Sequence, residues 1–88
     1  MIRRRVVVHG RVQGVFFRQS VRQRAEAARV SGWVRNRADG TVEAVFEGAS
    51  EAVELLVRFC SAGPRGAGVE RIEVTAEQPE GFGGFAIR

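Results

Sequence analysis

The chain has 88 residues, 44% of them hydrophobic and 27% charged, which is enough for one compact domain over residues 1–88 and too little for a second. No apolar run approaches the roughly 20 residues of a membrane span and no signal-peptide pattern opens the chain, so a soluble cytoplasmic protein with no membrane partner is expected. All 14 basic residues are arginine and the net charge is +4, split unevenly: ten arginines against Glu26 in residues 1–37 (+9), and four arginines against Asp39 and eight glutamates in residues 38–88 (−5).

Residues 3–9, with Val6-Val7-Val8 at their centre, predict a first strand. Phe17, Val21, Ala25 and Ala28 then recur at helical spacing and predict a helix over residues 17–29. Strands follow at 32–37 and 41–47, joined by Ala38-Asp39-Gly40, whose Asp-Gly pair favours a hairpin. In the second helix Ser50 is the expected N-cap, Glu51 and Glu54 suit the positive end of the dipole, and Val53, Leu56, Val57 and Cys60 form the buried stripe. Gly63-Pro64 ends it. A loop with Gly66 and Gly68 leads to a strand at 69–77, with Val69, Ile72 and Val74 apolar, and a short strand at 84–88 presents Phe85 and Ile87. Cys60, alone, cannot form an internal disulfide and reads as a small buried hydrophobe. The order βαββαβ plus a terminal strand allows an α+β split βαβ sandwich, an antiparallel sheet with both helices on one face.

Between the first strand and first helix the chain reads GRVQGVFFR, from Gly10 to Arg18. Gly10 and Gly14 permit positive φ and a close approach of backbone to a ligand, so several N–H groups can converge on one point. Arg18 adds a fork of donors at a helix N-terminus that already favours negative charge. Phosphate suits such a cradle, although a Gly-rich turn followed by Arg is also a common way to turn a corner.

A second segment, GWVRNRADGTVEAVFEG from Gly32 to Gly48, joins the first. Together they closely resemble the acylphosphatase family, whose patterns are Gly-x-Val-Gln-Gly-Val-x-Phe-Arg and Gly-aromatic-small-x-Asn, with Gly-x-Val four residues on and a further Gly. The resemblance runs nearly end to end and implies a ferredoxin-like architecture and hydrolysis of acyl phosphates. It assigns phosphate binding to Arg18, with the amides of Gln13, Gly14, Val15, Phe16 and Phe17, and water orientation to Asn36. On the residues alone, Asn36 can both donate and accept hydrogen bonds, yet it stands where an ordinary turn asparagine also would. The sequence departs from the family near the end of the first helix. Where the family often has Leu-Gly-Leu, this chain has Ala28-Arg29-Val30, and a positive φ at Arg29 costs about 1 kcal/mol relative to glycine.

The expected protein is a monomeric, metal-independent enzyme acting on a small acyl phosphate, with no cofactor and no required nucleic acid. His9, the only histidine, reads as structural, and the glutamates show no ligand-like clustering. Phe16, Phe17, Trp33 and Phe46 read as core or loop supports, and Arg11 and Arg35 as solvated. The basic half can steer a dianion. It is also what a nucleic-acid binder displays, and with the Gly81-Phe82-Gly83-Gly84-Phe85 run it supports the alternative, a non-catalytic RNA-binding domain on the same fold. A third reading is a former accessory domain of a larger carbamoyl-phosphate-using protein.

Overall fold

Alternation along the strands decides which side of the sheet the helices cover. The computed structural model describes residues 1–88 and holds β1 (Ile2–Arg11), α1 (Phe17–Ala27), β2 (Ser31–Asn36), β3 (Val42–Gly48), α2 (Ser50–Ala62), β4 (Gly68–Glu77) and β5 (Phe85–Ile87). The five strands form one sheet in the order β4-β1-β3-β2-β5. Each βαβ unit therefore spans a strand of the other: β3 lies between β1 and β2, and β1 between β3 and β4. The first four strands pair antiparallel, as expected, whereas β5 joins the edge parallel to β2, with Gly32 opposite Phe85 and Val34 opposite Ile87. No helix is long and apolar enough to cross a membrane.

Val6 and Val8 of β1, Val34 of β2, and Val42, Ala44 and Phe46 of β3 point to the helices, which answer with Phe17, Val21 and Ala25 from α1 and Val53, Leu56 and Cys60 from α2. Val57 of the expected stripe is only partly buried against this core, and burial pushes the Cys60 thiol up to about 12. Ser50 is not the N-cap of α2. That place falls to Ala49, which offers no side-chain acceptor, and the Ser50 hydroxyl donates instead along the helix to Glu54 Oε1 at 3.0 Å.

The opposite face of the sheet carries no helix and is held by charge. Arg3 reaches Glu47, Glu77 and Glu80, Arg5 reaches Glu43 and Glu77, and Arg35 reaches Glu43. Trp33, 7% exposed, lies beneath three guanidinium groups, those of Arg5, Arg35 and Arg88, at 4.7 to 5.6 Å from its ring. Arg35 is thus paired rather than freely solvated, and His9 is bonded to Glu73. The glycine-rich run is engaged as well: the amides of Glu80, Gly81 and Phe82 donate to the Glu47 carboxylate, Phe82 lies under Arg3, and Phe85 stacks on Phe46.

Candidate active site

β1 leaves the sheet through an irregularity. Its register with β4 shifts between His9 and Gly10, and at Gly10 (φ 125°) a Cβ would stand 2.1 Å from the Gly68 carbonyl oxygen. Gly10 therefore serves the close approach of two strands, not the approach of backbone to a ligand that the loop pattern suggested. Gly14 (φ 73°) fits that expectation better, because the space around its Cβ position is open and its backbone turns into the left-handed region.

Two residues on, Phe16 is also left-handed, at φ 59° and ψ 25°, and stands at the N-cap of α1. For an aromatic residue this conformation costs about 1 to 2 kcal/mol. No side chain caps α1 and no acidic residue occupies its first turn, so the positive end of the helix dipole is uncompensated. The backbone amides from Gln13 through Gln19 donate to no acceptor within the protein; the first bond of the turn is from the Ser20 amide to the Phe16 carbonyl, 3.0 Å. Together the loop and helix start present a row of free N–H groups, the arrangement that binds anions.

The other wall comes from the β2–β3 hairpin. Asn36 ends β2 opposite Val42, and the turn beyond it closes through the Arg37 amide to the Thr41 carbonyl at 2.9 Å. Asp39 Oδ1 accepts from the Thr41 hydroxyl at 2.6 Å and the Thr41 amide at 3.0 Å, which hold the Asp39 carboxyl below its usual range. Gln13 ties the two walls together: its Nε2 donates to the Arg37 carbonyl at 2.8 Å and the Thr41 carbonyl at 3.0 Å. Both hydrogens of one amide nitrogen are used on carbonyls at the two sides of the hairpin neck.

A cleft of about 340 Å³ opens between these walls, lined by Val12, Gly14, Phe16, Phe17, Arg18, Gln19, Asn36 and Ile87. Arg18 and Asn36, far apart in sequence, meet here. Arg18 takes part in none of the molecule's ion pairs. Asn36 Oδ1 is buried and has no hydrogen-bond partner. A buried acceptor left in that state costs about 1 to 3 kcal/mol.

The family model for acylphosphatase matches residues 4–87. The chain belongs to the acylphosphatase family. It is 60% identical over 85 residues to an acylphosphatase of Rubrobacter xylanophilus, covering 96% of this chain and 77% of that one. It is 52% identical to one from Haloarcula marismortui, covering 98% of this chain and 94% of the relative. Among solved structures, the Bacillus subtilis acylphosphatase superposes with a TM-score of 0.96 at 39% identity, covering 100% and 99% of the two chains. The ferredoxin-like architecture expected from the two motifs is thereby established.

Five of the seven site residues expected from sequence line the cleft, namely Gly14, Phe16, Phe17, Arg18 and Asn36. Gln13 and Val15 do not. The Gln13 side chain is the strut just described, and that of Val15 packs against the core. Phe16 departs from its expected supporting role, being 76% exposed while its neighbour Phe17 is buried. The helical spacing of Phe17, Val21 and Ala25 carries this signal, because a residue one step from the buried stripe must face elsewhere. Gln19 and Ile87 have no comparable signature: both reach the cleft only through the fold.

Proposed function

We propose that the phosphoryl group of an acyl phosphate sits at the start of α1, held by the Arg18 guanidinium and the amides of Gln13, Gly14, Val15, Phe16 and Phe17, and that Asn36 orients the attacking water. The hydrolysis itself is the activity of the family to which the chain belongs. The observation that carries the residue assignment is the single cleft in which an unpaired arginine, a row of free amides and the Asn36 side chain coincide.

In this reading the Asn36 side-chain amide hydrogen-bonds the water and aims its lone pair at phosphorus. The new P–O bond forms as the bond to the carboxylate oxygen breaks. The carboxylate leaves with the bonding pair, and the water's remaining proton passes to a phosphoryl oxygen, giving a carboxylate and dihydrogen phosphate. A carboxylate needs little help to depart, so the protein contributes chiefly position and fixed positive charge on the equatorial oxygens. Arg18 and the amides supply that charge without a metal ion. The same proposal places the protein in the cytoplasm as a monomer, with a small acyl phosphate as its partner.

Arg18→Lys tests the assignment. Lysine keeps the charge and loses the planar fork, so kcat/KM on acetyl phosphate should fall by at least about tenfold while the far-UV spectrum and melting temperature stay near those of the parent. Near-native turnover in this variant would remove Arg18 from the phosphate site.

A further inference from the structure

We propose that Phe16 forms the acyl-side wall of the cleft and favours substrates whose acyl group is apolar or aromatic over acetyl phosphate. The proposal rests on the reading of Arg18 and Asn36 as the phosphate end.

Phe16 is 76% exposed, lies outside the core cluster and takes part in neither of the aromatic pairs, which are Phe17 with Phe59 and Phe46 with Phe85. Its ring does nothing for the packing of the domain. Its backbone is nevertheless left-handed, a conformation in which glycine or asparagine is comfortable and a bulky aromatic is strained. The chain thus carries a large apolar side chain at a position that disfavours one, on the rim of the cleft and at the N-cap of α1. Strain of this kind, at a site, points to use.

The lining of the cleft divides by chemistry. Arg18, Asn36 and the loop amides suit the phosphoryl group, whereas Val12, Phe16, Phe17 and Ile87 offer only hydrocarbon. A volume of about 340 Å³ lies in the range of clefts that hold ligands well beyond the size of a phosphate ion. The Phe16 backbone stands beside the anion cradle, because the residue itself begins the helix that forms the cradle. A planar acyl group attached to the bound phosphate can pack on this ring and gain apolar contact there.

The test compares benzoyl phosphate with acetyl phosphate in the parent, Phe16→Ala and Phe16→Trp. The ratio of kcat/KM for benzoyl over acetyl phosphate should fall about tenfold in Phe16→Ala, mainly through KM for benzoyl phosphate, and should be restored in Phe16→Trp. An unchanged ratio in Phe16→Ala, with both substrates affected alike, overturns the proposal and leaves Phe16 a role in the loop backbone only. Should that variant fail to fold, binding of phenylphosphonate and methylphosphonate to the parent and to Phe16→Asn, a residue that tolerates the left-handed backbone, decides: the aryl ligand should bind at least about threefold tighter to the parent and lose that advantage in the variant, and equal binding to the parent or an advantage kept in the variant overturns the proposal. Failure of the parent to hydrolyse either substrate is a failure of the phosphate-site reading, and the phosphonate comparison then still decides the role of Phe16.

Discussion

Asn36 illustrates the conflict between stability and use at a single residue. Its Oδ1 is buried without a donor, at a cost of about 1 to 3 kcal/mol, in the residue proposed to orient the water. Asn36→Ala should therefore lower turnover on the order of 10²-fold, since a misdirected water loses the in-line geometry. The inhibition constant of inorganic phosphate should change by less than about threefold, because holding an inert anion does not require the water. The melting temperature should not fall, since the substitution removes an unpaired acceptor and no internal hydrogen bond to Oδ1. Equal losses in turnover and phosphate binding would make Asn36 a binding residue. Gln13 is the contrasting case. The two bonds of its side chain to backbone carbonyls give that side chain a positioning part, holding the Asn36 hairpin against the Arg18 loop.

Among the elements, the end of α1 shows how a local rule survives an unfavourable residue. The Val30 amide donates to the Ala25 carbonyl at 2.8 Å and the Arg29 amide to the Glu26 carbonyl at 3.2 Å, the crossed pair of bonds of a Schellman motif. Val30 and Ala25, both buried, make its apolar contact. The motif requires a left-handed residue after the cap, and Arg29 occupies it at φ 58°. Arg29→Gly should thus raise stability by about 0.5 to 1 kcal/mol in chemical denaturation and leave kcat unaltered, as the residue lies at the far end of α1 from the cleft. A loss of stability would mean that the arginine side chain contributes more than its backbone strain costs.

The same elements show what the sequence could and could not reveal. Apolar spacing located both helices and all five strands to within about two residues, because burial against one sheet face imposes those periods. It misplaced the start of α2, since a serine beside an alanine gives no sign of which residue takes the extended conformation of the cap. Arg18 and Asn36, the residues proposed for the site, were singled out through motif alone, and the fold brings both to one cleft. Neither the Gln13 strut nor the grip of Glu47 on residues 80–82 was, because each joins segments that only the topology brings together. Gly10 was legible as a glycine but not in its role, which depends on the β4 backbone that crosses it.

At the scale of the whole molecule, the two oppositely charged halves of the chain are folded against each other. Arg3, Arg5 and Arg35 from the basic half meet Glu43, Glu47, Glu77 and Glu80 from the acidic half on the helix-free face, and Arg37 meets Asp39. Arg18, Arg22, Arg24 and Arg29 on and beside α1 have no such partner, and neither do Arg4 and Arg11 of β1, so the unpaired positive charge of this half lies on α1 and β1. The paired face predicts acid sensitivity. Glu47 is 2% exposed, and the amide of Glu80, then those of Gly81 and Phe82, together with Arg3, hold its carboxyl below the ordinary range. Arg5 and then Arg3 do the same for Glu77. Burial pushes Glu43 upward, but hydrogen bonds from Arg35 and Arg5 outweigh it and the net shift is downward. A carboxyl lowered by folding makes the unfolded chain the better proton binder, so its contribution is complete above the unfolded value near about 4.3 and is lost as pH falls through the folded one. The melting temperature should therefore decline below about pH 4. In Glu47→Gln two of the surrounding N–H donors would face an amide nitrogen, so the variant should melt lower at neutral pH and decline less in acid, its curve converging on that of the parent. Thermal unfolding of both proteins across pH 2 to 7 makes the comparison, and parallel curves throughout would show that Glu47 is not among the groups that destabilise the fold on protonation.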